Sequence, residues 1–220
     1  MGAIGHFDYQ CRRHVFLDFD GVVFANKMAS QHVIDRSVEW VSKSTGASKK
    51  DAKNLNLLTY KTQGHSALLN GRDSSTLKCY NDFVFDDYFL EEILPECIDK
   101  VDVWHTNRLR EIASNRDLRY ILCTNAPKRY CEKVLSIQGM EFSDFFREDL
   151  IFSSDITQSV KPTQDFYDFV NLKTPDYKYI HFIDDSSINV ATASFNYKWY
   201  PLLIKEKELL YHHLASFPKY

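Results

Sequence analysis

The run His14-Val15-Phe16-Leu17-Asp18-Phe19-Asp20-Gly21 decides how this chain is to be read. After His14, three apolar residues in succession, with no polar alternation, describe a strand covered on both faces, as strands in parallel sheets are. The run stops on two carboxylates separated by one residue and then on a glycine, which lets the backbone turn sharply. In open parallel sheets, ligands bind beyond the carboxyl ends of the strands. Asp18 and Asp20 at such an end can share one hard cation, or divide the roles of nucleophile and proton donor. An acidic strand end leading into a turn is the plainer alternative.

Further apolar runs are predicted to be strands: Tyr120–Cys123 before Thr124, Leu150–Phe152 before Ser153-Ser154, and Tyr179–Ile183 before Asp184. A weaker one covers Lys198–Ile204, where Pro201 marks an edge or short strand. Helical spacing fills the gaps. Asn107–Asn115 carries Leu109, Ile112 and Ala113, and Arg129–Gln138 stops at Gly139. Thr163–Asn171 follows Lys161-Pro162, with Pro162 expected in the first helical turn, where its missing N–H costs nothing. Strand and helix in alternation predict an α/β fold, a doubly wound parallel sheet of Rossmann-like type. One stretch, roughly residues 24–118, breaks the alternation with no strand signal. Ser30–Lys43 (N-cap Ser30), Ser48–Lys61 and the aromatic-rich Asp73–Phe89 read as helices there. The expected division is a core of residues 1–23 and 101–220 with an all-helical insert, the cap, over 24–100.

Composition bounds the function. The chain has 220 residues, 44% hydrophobic and 15% aromatic, enough for one domain plus an insert with a sizeable core. Lys and Arg number 27 against 30 Asp and Glu, so no net positive field draws the chain to a nucleic acid polymer or an anionic membrane. The cysteines, Cys11, Cys79, Cys97, Cys123 and Cys131, are odd in number and form no CxxC pair, which suggests neither a zinc site nor a disulfide framework. Met1–Arg13 lacks the apolar run of a signal peptide, and no stretch approaches the roughly 20 apolar residues of a membrane span. A cytoplasmic protein is expected. Neither GxGxxG nor a Walker A loop occurs, so dinucleotide and P-loop chemistry lack support.

The other strand ends carry polar groups too. The Thr124 hydroxyl, followed by Asn125, can bond a phosphate oxygen beside the N–H groups of the next helix, or serve only as a cap. Lys161 can neutralise a bound phosphate and a nearby nucleophile, or lie solvated on the surface. Asp184-Asp185 is unfavourable unless solvated or bridged by a cation. Placed together at four strand ends, these groups point to phosphate and magnesium more strongly than any one of them does.

With DFDG, TN, KP and IDDS in that order, the chain resembles the haloacid dehalogenase-like hydrolase superfamily, and its helical insert looks like that family's type 1 cap. Leu122-Cys123-Thr124-Asn125-Ala126-Pro127, Ser159–Pro162, Phe182–Asn189 and Tyr60–Gly64 look like the pyrimidine 5′-nucleotidase-like branch. The resemblance implies that Asp18 attacks phosphorus to form an aspartyl-phosphate. It makes Asp20 general acid and then base, with its backbone carbonyl on Mg²⁺. Asp184 and Asp185 complete the metal site with Asp18. Thr124, Asn125 and Lys161 hold the phosphoryl group, and Ser186 and Asn189 orient the acidic loop. Dehalogenases of the superfamily need no metal and no acid at the Asp20 position, so phosphoryl transfer is expected. The substrate would be a small phosphorylated metabolite, a nucleoside 5′-monophosphate first. A sugar-phosphate phosphatase or phosphomutase, and a catalytically silent binding module, stay open. Asn26, Lys27, Tyr60, His65 and Arg72 are candidates for contact with the leaving group, whereas Cys123 reads as a core thiol and His212-His213 as solvent-facing.

Overall fold

The computed structural model describes residues 13–71, 73–98, 103–115, 118–196, 198–205, 210–212 and 214; Arg72, Cys11 and His213 lie outside the described residues. Strand β1 (Arg13–Leu17) is central to a parallel sheet with β2 (Leu118–Cys123), β3 (Ile151–Phe152), β4 (Ile180–Asp184) and β5 (Trp199–Leu203), in the order β3-β2-β1-β4-β5. The apolar runs are unbroken because alternate residues serve two cores. Val15, Leu17, Leu118, Tyr120, Leu122 and Ile183 face one cluster, while Phe16, Ile121, Cys123, Ile180 and Phe182 face the other. Burying each such side chain contributes about 1.5–3 kcal/mol, so both faces strongly select these strands. The α/β Rossmann-like architecture is the one expected, and Pro201 sits on the edge strand β5, paired with Phe182.

The helices are α1 (Lys27–Thr45), α2 (Lys49–Gln63), α3 (Ser74–Val84), α4 (Leu94–Cys97), α5 (Val103–Ala113), α6 (Lys128–Ile137), α7 (Phe142–Phe145), α8 (Ser154–Thr157), α9 (Gln164–Lys173) and α10 (Ser187–Ala193). A 3₁₀ turn, Ser66–Asn70, precedes α3, and a π-helical turn, Phe89–Ile93, runs into α4. Phe166, Tyr167 and Val170 of α9 cover one face of the sheet. Leu109 of α5, and Cys131, Val134 and Leu135 of α6, cover the other, in a cluster continuous with Val38, Trp40 and Val41 of α1. Between α1 and α5 no strand occurs among the described residues. No helix among them is long and apolar enough to cross a membrane.

Two expected boundaries are corrected. Helix α1 begins at Lys27 and is capped by Asn26, not Ser30: Asn26 Oδ1 accepts from the N–H groups of Met28 and Ala29, and the Ser30 N–H already bonds the Asn26 carbonyl. Pro162 lies outside α9, one residue before its N-cap Thr163, and its peptide bond with Lys161 is cis.

The strand order reverses across the β1–β4 pair, whose register sets Leu17 beside Ile183. The next residues, Asp18 and Asp184, therefore emerge side by side at the switch point where open sheets bind ligands.

Candidate active site

Parallel pairing continues one step past β1, since the Asp18 N–H donates to the Ile183 carbonyl at 2.9 Å. Into the gap between Asp18 and Asp184 reaches Lys161, fully buried. Its ammonium lies 3.1 Å from Asp18 Oδ1 and 2.5 Å from Asp184 Oδ2, and donates to the Cys123 carbonyl at 2.7 Å. The surface-lysine alternative is thereby removed. Burial alone would lower the Lys161 pKa, but the charges of Asp18 and Asp184 outweigh it and hold the ammonium protonated. Burial raises the Asp18 carboxyl well above its usual range, with Lys161 pulling the other way and Asp184 adding to the rise.

Asp20 stands in the tight turn beyond Asp18. The N–H groups of Val23 and Phe24 both bond the Phe19 carbonyl, and the Gly21 N–H bonds that of Phe24. Gly21 has φ +79°, and a Cβ there would come within 2.1 Å of Asp185 Oδ2, so only glycine lets the turn pass the acidic loop. The Asp20 carboxyl accepts from the Tyr130 hydroxyl at 2.9 Å. Burial pushes its pKa up to about 6 against the opposing pull of that hydrogen bond. The Tyr130 hydroxyl stays protonated, because burial and then the Asp20 charge raise its pKa further.

Asp184 is fully buried and braced on both oxygens: Oδ1 accepts from the Ser186 N–H at 2.8 Å, and the Asn189 amide reaches both oxygens at 3.1 Å. Tyr167 holds Asn189 in turn through its backbone carbonyl, at 2.9 Å. Asp185 opens to solvent, yet burial of its inner side and the charge of Asp184 push its pKa up to about 6. Thr124 is buried, and its hydroxyl accepts from the Ala126 N–H at 3.2 Å; it does not cap α6, whose N-cap is Pro127. The Asn125 side chain grips the Lys161 backbone twice, donating to its carbonyl at 2.8 Å and accepting from its N–H at 2.7 Å. The amide expected to face phosphate is thus engaged in holding the Lys161 loop.

Among the candidates from the helical insert, Asn26 and His65 are corrected. Asn26 caps α1 and donates to the Cys97 carbonyl at 3.0 Å, and buried His65 caps the 3₁₀ turn through Nδ1. Orphan N–H groups at helix starts claim both side chains. Lys27 is solvent-exposed on α1. Tyr60 is half-exposed on α2 and lies close enough to the acidic cluster that Asp185, after burial, raises its pKa, to about 12. Two features escaped the sequence reading. One is Tyr130, whose only signal was its place shortly after Thr124. The other is the seat of Gly64, last of the quoted Tyr60–Gly64 stretch: a Cβ there would meet Pro162 Cδ at 2.3 Å, so the end of α2 rests directly on the loop that carries Lys161.

One carboxylate oxygen from each of Asp18, Asp184 and Asp185 lies within 4.8 Å of the others, with the Asp20 carboxyl apart from this group. The donors are hard, anionic oxygens around a crowded excess of negative charge, and they fit a divalent cation of the magnesium type.

No family model and no curated protein matches the chain. Solved structures do. A HAD family enzyme from Bacteroides thetaiotaomicron in its magnesium complex aligns over 94% of this chain and 100% of its own, at 15% identity and TM-score 0.53. A second structure of that enzyme aligns over 87% and 93%, at 15% identity and TM-score 0.51. At this identity the likeness is one of architecture. The chain has the fold of these haloacid dehalogenase-like (HAD) family structures.

Proposed function

We propose that this chain is a magnesium-dependent phosphomonoester hydrolase working through an aspartyl-phosphate on Asp18. One observation carries the reading: the carboxylates of Asp18, Asp184 and Asp185 converge at the sheet's switch point, with the buried Lys161 ammonium between the first two. Surface acids converge often enough, but carboxylates gathered beside a fully buried lysine, with negative charge left over, form a built site for a divalent cation.

Asp18, Asp184 and Asp185, with the Asp20 backbone carbonyl, would hold the cation, which would offset the repulsion between an anionic nucleophile and an anionic ester. Asp184 already accepts on both oxygens, so Asp185 brings the freer carboxylate. The Phe19 N–H and Lys161 both hold Asp18 Oδ1, which fixes the carboxylate plane for attack on phosphorus. Lys161 and the Thr124 hydroxyl steady the transferring phosphoryl group, and Asn125 keeps the Lys161 loop in register. Asp20 protonates the leaving oxygen and later takes the proton of the hydrolytic water. Residues 24–100 act as the cap over a core of 1–23 and 101–220. Support comes from the seat of Gly64 on Pro162 and from Tyr60 beside the carboxylates. The Tyr60 ring offers a face on which a base can stack, which favours a nucleoside 5′-monophosphate as substrate.

The test is phosphate release from nucleoside 5′-monophosphates and sugar phosphates with Mg²⁺ and with chelator. Release from the nucleotides should vanish with chelator and fall about 10³-fold or more in Asp18→Asn. A chelator-reversible rise in Tm on adding Mg²⁺ reads the cation site without turnover. Full turnover by Asp18→Asn removes the nucleophile. A folded chain that hydrolyses no phosphomonoester with Mg²⁺ overturns the hydrolase and favours the binding module.

A further inference from the structure

Tyr130 stands near the start of α6, 1% exposed, its hydroxyl 2.9 Å from Asp20 Oδ1. Its ring is enclosed by aromatics: Phe19 edge-on at 6.0 Å, Phe85 tilted at 5.1 Å and Phe89 stacked at 6.5 Å. Phe19 lies between the two aspartates of the turn, whereas Phe85 and Phe89 belong to the inserted helices, so the phenol is held from both sides of the site. A phenol hydroxyl has a single hydrogen, and here it is directed at Oδ1. A carboxylic acid carries its proton on one oxygen, and the oxygen that already accepts a hydrogen bond is the poorer seat for it.

We propose that Tyr130 is the positioning residue of the general acid: by donating to Oδ1 it places the Asp20 proton on Oδ2 and turns that oxygen toward the leaving group. This rests on the phosphatase reading above. In the first step an Asp18 oxygen bonds to phosphorus while the bond from phosphorus to the ester oxygen breaks. The Oδ2 proton passes to that oxygen, which departs as a neutral alcohol. In the second step water oxygen bonds to phosphorus as the Asp18–phosphate bond breaks. The water proton goes to Oδ2, phosphate leaves, and Asp20 is protonated as at the start. Tyr130 touches neither substrate nor water. It decides which oxygen does.

Tyr130→Phe keeps the ring and removes the hydroxyl. The probes are phenyl phosphate, whose leaving group needs a proton, and 2,4-dinitrophenyl phosphate, whose leaving group departs readily as an anion. The ratio of kcat on the first to kcat on the second should fall about tenfold or more in the variant, with KM for phenyl phosphate unchanged. This ratio does not depend on the fraction of chain that folds. In Asp20→Asn, adding Tyr130→Phe should lower the ratio no further, because the hydroxyl then has no acid to direct. An unchanged ratio in Tyr130→Phe, or a further fall in the double variant, overturns the positioning role and leaves the phosphatase reading intact. A wild-type chain that hydrolyses neither these esters nor the nucleotides and sugar phosphates overturns that reading and this role with it.

Discussion

The helix caps of the insert take N–H groups near in sequence, while at the strand ends the Lys161 ammonium and the Tyr130 hydroxyl bind partners far along the chain. Asn26 binds N–H groups two and three residues on, His65 one two residues on, and Asp73 one three residues on. At the strand ends the separations are 23 residues for Lys161 and Asp184, 36 for Lys161 and Asn125, and 110 for Tyr130 and Asp20. A local cap forms with its helix and fails alone. The strand-end cluster exists only once the sheet has assembled, and the buried charges of Asp18 and Asp184 are tolerable only because Lys161 lies between them. Damage to the two regions should therefore differ in size and in its dependence on pH.

The largest effect is expected at Lys161. Lys161→Met leaves Asp18 and Asp184 buried without their counter-charge, which should cost about 3–5 kcal/mol in urea unfolding. Losing the ammonium, which pulls against burial, raises the folded pKa of the Asp18 carboxyl further still. A carboxyl raised in the fold takes stability away as pH climbs from its unfolded value through its folded one, so the loss should grow as pH rises above the unfolded carboxyl range of about 4. A loss below about 1 kcal/mol that ignores pH would erase the contrast between the regions.

His65 sharpens the comparison because its cap is local but buried. Burial lowers its pKa from 6.5 to about 4, and a neutral Nδ1 is what accepts the Ala67 N–H. A folded pKa below the unfolded one means stability present above about 6.5 and lost as pH falls toward 4. The cost reaches about 3 kcal/mol at the acid end. His14, stacked on Tyr177 beside β1, is lowered to about 4 as well, burial first and Arg119 second. His65→Asn, which can still cap, should remove about half of the acid-side slope in Tm against pH. An unchanged slope would mean that His65 is not neutral in the fold.

The smallest effect belongs to an ordinary cap. Asn26→Ala removes the acceptor for two N–H groups and the donor to Cys97, and should cost about 1–2 kcal/mol, nearly independent of pH. A loss as large as that of Lys161→Met would show that the bond to Cys97, 71 residues on, weighs as much as the buried charge cluster.

Strands were legible because burial on both faces leaves an uninterrupted apolar run, as in Val15-Phe16-Leu17 and Ile121-Leu122-Cys123. Helix starts were less legible: Ser30 and Asn26 are both good caps, and only the hydrogen bonds choose Asn26. Asp18, Asp20, Asp184 and Asp185 stood out as carboxylates at the ends of such runs. Tyr130 did not, because an aromatic in an amphipathic helix reads as core, and its ring does pack there. Only its hydroxyl departs from that role.

From the order of residues alone follow the α/β alternation, the helical interruption and the acids at the strand ends, since each is written in a few consecutive side chains. Which acids face one another, that Lys161 is buried between two of them, that Asn125 clamps its loop and that Tyr130 reaches Asp20 were decided by the pairing of β1 with β4 and the packing of α6. Residues 23 to 110 positions apart carry no local preference for each other, and their proximity is a consequence of how the sheet and helices bury apolar surface.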